Sequence, residues 1–148
     1  MSSDPIVVGT DGSASAERAV TRAGEIARAL GAAVHVVNSY GEDGNAAWLA
    51  AAGGVAVPSL HSDDQARRHA EQVVARATGS LSTLGVESRA HVCTGDPAQA
   101  LITIAEGERA QMTVVGNRGM IGARRVLGSV PNRVSHRAKC GVLIVASC

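Results

Sequence analysis

The residues best suited to chemistry in this 148-residue chain are Val115-Gly116-Asn117-Arg118-Gly119 and, eight residues later, Gly128-Ser129-Val130-Pro131-Asn132. Met112 to Val115 ahead of them is a short apolar run rich in β-branched residues, which predicts a strand. Ser129 is a good N-cap, and Pro131 suits the first turn of a helix because it has no N–H to satisfy. Glycines at a strand's end let backbone approach a ligand without a Cβ in the way. A helix start adds unpaired N–H groups and a partial positive charge. The combination describes an anion cradle, most naturally for phosphates. A glycine-rich turn that holds nothing has the same spacing.

Charge favours the cradle. From Arg109 to Cys148 there are seven Arg or Lys and no Asp or Glu, whereas the first 108 residues hold seven bases against thirteen acids. The positive end thus coincides with the glycines and favours an anionic ligand. The chain has one Trp, one Tyr and no Phe, so it lacks the aromatic platforms on which nucleic-acid bases stack, and no nucleic-acid partner is expected. No run of about 18 apolar residues marks a membrane span. Met1-Ser-Ser-Asp4 lacks a basic and apolar signal core, which predicts a cytoplasmic protein. Cys93, Cys140 and Cys148 form no metal-ligand spacing and are expected to be reduced thiols.

The elements that must position the cradle follow from periodicity. Ile6–Gly9 reads as a buried parallel strand, and Thr10-Asp11-Gly12-Ser13 as the turn after it, with Ser13 or Ser15 as the next helix cap. Apolar residues from Ala16 to Leu30 recur at helical steps, and Gly31 ends that helix. Val34–Asn38 is the second strand. Residues 41–58 have no period and suggest a long mobile loop, in which Trp48 packs over a ligand or anchors to the core. Ser62-Asp-Asp-Gln65 fits a capping box for a helix to about Leu84. Val86–Val92 alternates as a third strand. Asp96 and Pro97 then cap and open a helix over Ala98–Arg109. Met112–Val115, a helix from about Ser129 to Arg137, and Val142–Val145 complete the chain.

Strands alternating with helices predict one α/β domain over residues 1–148, with a doubly wound parallel sheet of five strands in the order 3-2-1-4-5 and helices on both faces. Ligands of such sheets bind beyond the carboxyl ends of the strands where the order reverses, here between strands 1 and 4. That rule brings Thr10 and Asp11 opposite Gly116–Gly119. Asp11 could accept bonds from a ribose, help hold a divalent ion, or simply fix a turn. Asn117 and Arg118 could reach phosphate or ribose, or lie at the surface.

A catalytic set is missing. There is no Gly-Lys-Ser/Thr triplet, no GxGxxG after strand 1, no acidic residue ending strand 3 and no GxSxG elbow. Cys93 reads as a small core residue rather than a nucleophile. His35, His61, His69, His91 and His136 show no metal-ligand spacing, so no metal site built by protein alone is expected. Turnover is expected to be absent or, at most, that of a weak ATPase.

Val7-Val-Gly-Thr-Asp-Gly-Ser13, Gly95-Asp-Pro97, Val114-Val-Gly-Asn-Arg-Gly-Met120 and Leu127-Gly-Ser-Val-Pro-Asn132 together resemble the universal stress proteins over essentially the whole chain, as does the ending Cys140–Val145. Nucleotide-binding members of that family carry Gly, two residues, Gly, nine residues, then Gly-Ser or Gly-Thr. Gly116, Gly119 and Gly128-Ser129 follow the pattern, with eight residues in the inner spacer, Met120–Leu127. The resemblance implies a stress-response module that binds ATP or another adenine nucleotide such as AMP or cyclic AMP, with magnesium arriving through the phosphates. It also implies a homodimer through the last strand, residues 141–146. By position, Asp11 would contact the ribose, the Val37-Asn38 backbone the adenine, and Gly116, Gly119, Gly128, Ser129 and Val130 the phosphates. Thr10, Gly95, Asn117, Arg118 and Pro131 complete the candidate site. A slow ATPase or phosphotransferase and a nucleotide-free interaction protein are the alternatives. Replacing Gly116 or Gly128 with Val is expected to remove binding and leave the fold largely intact.

Overall fold

The computed structural model describes residues 3–41, 63–117 and 129–146. Residues 42–62 and 118–128 lie outside that range, and with them the expected loop, Trp48, the Ser62 capping box and the eight-residue spacer. Five parallel strands form a sheet in the order β3-β2-β1-β4-β5. They are β1 (Ser3–Gly9), β2 (Ala32–Tyr40), β3 (Ser88–Thr94), β4 (Met112–Gly116) and β5 (Gly141–Val145). The helices are α1 (Ala14–Leu30), α2 (Asp63–Thr83), α3 (Pro97–Gly107) and α4 (Val130–Arg137).

β1 lies at the centre of the sheet, and Ile6, Val7 and Val8 are each fully buried. A strand covered on both faces reads as a continuous apolar run rather than an alternating one. Its alternate residues feed two cores. Ile6 and Val8 join Val34, Val36 and Val114 beneath α1 and α2, where Ala19, Ala23, Ala27, Val74 and Leu81 pack. Val7 joins Val37 and Val115 beneath α3 and α4, with Leu101, Ala105, Val130 and Val134. Small alanines on α1 let the helix sit close to a sheet face built from Ile6, Val8, Val34, Val36 and Val114.

Several boundaries move, each for a local reason. β3 starts and ends two residues later than the alternation suggests. Val86 instead closes the end of α2, its N–H donating to the Leu81 carbonyl (3.0 Å), after Gly85 turns the chain at φ 75°. β2 runs on to Tyr40 because its ladder with β3 continues to the Tyr40–Thr94 pair. The helix expected to reach Arg109 stops at Gly107, and Arg109 adopts φ 55°, off the helical path.

Candidate functional site

The register pairs Val8 with Val114, so the carboxyl ends of β1 and β4 emerge side by side. This is where the strand order reverses, and no intervening strand fills the space between the outgoing loops. The N-caps of α1, α3 and α4 are Ser13, Asp96 and Ser129, each at the start of a helix that leaves this same edge of the sheet. Three helix N-termini therefore turn their partial positive charge toward one edge.

The β1 side is built by a tight turn. Thr10 is 2% exposed; its N–H donates to the Val37 carbonyl (3.0 Å) and its carbonyl accepts from Asn38 Nδ2 (2.7 Å). Thr10 Oγ1 accepts from the Gly12 N–H at 3.1 Å, and Asp11 Oδ1 from the Ser13 N–H at 2.9 Å. Ser13 Oγ in turn accepts from the Ala16 N–H (3.2 Å), which settles Ser13 rather than Ser15 as the cap of α1. Asp11 thus holds the turn that aims α1. Val37 and Asn38 sit inside the ladder with β3, two residues before the end of β2. They form the floor under Thr10, and their backbone is the one the resemblance assigns to the adenine.

On the β4 side, Gly116 has a specific steric role. A Cβ on it would lie 2.5 Å from Ser15 Oγ and 2.8 Å from the Ser15 carbonyl oxygen. The first turn of α1 therefore rests directly on the end of β4. Ser15 Oγ is buried there with no hydrogen-bond partner among the described residues. The Asn117 N–H extends the sheet by donating to the Val145 carbonyl (3.0 Å). Arg118, Gly119 and Gly128 lie outside the described residues.

Ser129 is 4% exposed, and its Oγ accepts from the Asn132 N–H at 3.2 Å, the capping role expected of it. The Arg133 N–H goes to the Ser129 carbonyl, and Pro131 has no N–H to offer. Among the described residues, the N–H groups at the start of α4 left for a ligand are those of Ser129 and Val130.

Gly95, at φ 94°, joins the ends of β2 and β3. Its N–H donates to the Tyr40 carbonyl (3.0 Å) and its carbonyl accepts from Ser39 Oγ (2.6 Å). Next to it, Asp96 caps α3 and receives the Arg133 guanidinium as a fork, at 2.7 and 2.5 Å. Burial pushes the Asp96 carboxyl up, but bonds from Arg133 and the Gln99 N–H outweigh it and hold the group below the ordinary carboxylate value. Arg137 donates to Gln99 (2.5 Å), and Lys139 lies 3.6 Å from Glu106. Part of the basic tail is thus spent on α3 rather than turned toward a ligand. Burial raises the Cys93 thiol, which fits a core residue and not a nucleophile. Elsewhere, His35, His91 and Glu108 converge, a grouping that the histidine spacing had not suggested. Only the strand register reveals it.

No helix among the described residues is long and apolar enough to cross a membrane. The sequence profile of the universal stress protein family matches residues 3–146. Universal stress protein Rv1636 of Mycobacterium tuberculosis strain H37Rv is 39% identical over 150 residues, covering 95% of this chain and 94% of that protein. A crystal structure of a universal stress protein in complex with cAMP is similar at TM-score 0.76 and 32% identity, covering 98% of each chain. The universal stress protein from Archaeoglobus fulgidus in complex with dAMP is similar at TM-score 0.72 and 26% identity, covering 97% of this chain and 98% of that one. With profile, sequence and fold agreeing over nearly the full length, the chain belongs to the universal stress protein family.

Proposed function

We propose that the crevice between the ends of β1 and β4 binds an adenine nucleotide, and that the protein serves as a cytoplasmic binding and signalling module in stress. The observation that carries this reading is the meeting of the Thr10–Ser13 turn, the Gly116 strand end and the start of α4 at one switch point. Relatives solved with cAMP and dAMP support it. Asp11 faces the ribose, the Val130 N–H and the glycines 119 and 128 take the phosphates, and Thr10 with Gly95 shapes the walls. A mononucleotide or cyclic nucleotide, with one phosphate, suits the pair of N–H groups at the start of α4. ATP would place its outer phosphates, with any magnesium, beyond that turn. β5 pairs with β4 along one side and presents Val142 to Val145, all half-buried, at the sheet's edge. An apolar edge of this kind favours pairing with a second copy, giving a homodimer through residues 141–146.

Titration calorimetry with cAMP, AMP and ATP, with and without magnesium, tests the reading. Binding of at least one of them is expected, weakened by Asp11→Ala with the fold retained. No heat with any nucleotide would sink the proposal. Sedimentation velocity checks the dimer, which a charged residue at Leu143 should dissociate.

A further inference from the structure

Away from the crevice, on the face of the sheet covered by α3, three potential ligands meet. His35 on β2 pairs in register with Arg89 of β3, and Val37 pairs with His91, so the two histidines occupy neighbouring rungs. Glu108 follows the last turn of α3, which has run back toward the amino half of the strands. His35 Nδ1 and His91 Nε2 are 2.7 Å apart, and Glu108 Oε2 is 3.9 Å from His35 Nε2. The rings are inclined by only 22° with centroids 5.0 Å apart, so they meet edge to edge through the two nitrogens rather than face to face. At that separation one nitrogen must carry a proton and the other a lone pair. One donor atom from each of the three residues lies within 4.8 Å of the others.

The geometry points to a site for a divalent transition-metal ion of the zinc or cobalt type, held by His35, His91 and Glu108. Two imidazoles and a carboxylate select such an ion over magnesium or calcium, which prefer all-oxygen shells. They supply three ligands and leave a fourth position for water. Tetrahedral bonds of about 2.0–2.1 Å set neighbouring donors about 3.4 Å apart, so the ion takes the place of the proton between His35 Nδ1 and His91 Nε2 and parts the rings, and Glu108, which stands against His35 Nε2, swings over to close the site. The movable partners are placed for this. His35 is 4% exposed and anchored in β2, whereas His91 is half-buried on the outer strand and Glu108 is exposed. Arg89 adds one opposing positive charge, which the Glu108 carboxylate balances. The site does not depend on the nucleotide reading, since none of its three side chains is assigned to the nucleotide.

The test uses the full chain, stripped of metal by chelation, and Co²⁺ as the probe. One Co²⁺ per chain is expected, with the visible d–d absorption of a low-coordinate N/O site and no thiolate charge-transfer band, and Zn²⁺ should displace it. His91→Gln and Glu108→Gln should each weaken binding by at least about tenfold, the scale on which even an outer-shell partner acts. Nitrogen NMR of the wild-type imidazoles on adding Zn²⁺ gives a second measure that needs no variant, with two histidines shifting together. Failure to take up Co²⁺, a thiolate band, shifts confined to other histidines, or unchanged affinity in both variants would each overturn the site. The first of these would leave His35 and His91 as a hydrogen-bonded tie between β2 and β3, with Glu108 3.9 Å away.

Discussion

At the scale of single residues, Gly116 shows how one position can answer to two demands. Glycine at a strand's end is open to a ligand, but here it also admits the backbone of Ser15 to within 2.8 Å of where a Cβ would stand. Gly116→Ala should therefore destabilise the ligand-free protein by about 1–3 kcal/mol, as overpacking does, read as a lower urea midpoint. Adding Ser15→Ala should not restore stability, because the Ser15 carbonyl remains in the way. Full rescue by that second change would show that only the hydroxyl was in conflict. This replaces the expectation that a larger residue at Gly116 spares the fold. The sequence could mark Gly116, Asp11 and Ser129 as special by type and spacing. It could not separate a residue that meets a ligand from one that lets two elements touch, because that distinction lies in which atoms approach across the fold. Ser129 was legible as a cap because capping is local, a bond to a group three residues away.

At the scale of elements, α3 and α4 are joined by pairs that no local pattern announces. Asp96 and Arg133 are 37 positions apart, and Gln99 and Arg137 are 38 apart. The helices themselves, and the Asp96 cap, were readable from periodicity and from Pro97. Their docking was not, because it depends on β4 carrying the chain to the neighbouring slot of the sheet. Asp96→Ala removes both the cap and the ion pair and should cost about 1–2 kcal/mol, whereas Asp96→Asn keeps the cap and should cost less than about 1 kcal/mol. Chemical denaturation of the two variants separates the contributions. The lowered Asp96 pKa sets the pH dependence. Its stabilising contribution is fully present above the unfolded-chain value of about 3.9 and is lost as pH falls through the lower folded value. Below about pH 4 the wild type should therefore lose its advantage over Asp96→Asn, and an advantage that persists in acid would contradict the assignment. β3 teaches the reverse lesson. Its alternation was real, but Val86 is used to finish α2, so the strand begins only at Ser88.

At the scale of the whole molecule, the carboxyl edge of the sheet and its α3 face carry different chemistry. The carboxyl edge gathers three helix starts and the Thr10–Ser13 and Gly116 loops, and the middle of β2 and β3 gathers the His35, His91 and Glu108 trio. Strand order and switch point were foreseeable because alternating elements and right-handed crossovers leave few topologies open. The carboxyl edge now makes a thermodynamic prediction. A ligand that binds only the folded chain stabilises it by about 2.7 kcal/mol when present at ~100 times its Kd. For a chain of this length each kcal/mol moves the melting midpoint by about 2–4 °C, so the preferred nucleotide should raise it by about 5–11 °C. Arg133, Arg137 and Lys139 are already engaged with α3. Among the described residues, attraction for the phosphate is then left mainly to short-range N–H groups at the helix starts. Such contacts lie well inside the ~10 Å screening length at 0.1 M salt, so the shift should survive added salt far better than one driven by exposed arginines. Thermal scans with cAMP, AMP and ATP at low and high salt measure both quantities. A shift that vanishes at high salt would place the binding energy on exposed basic side chains and not on the crevice between β1 and β4.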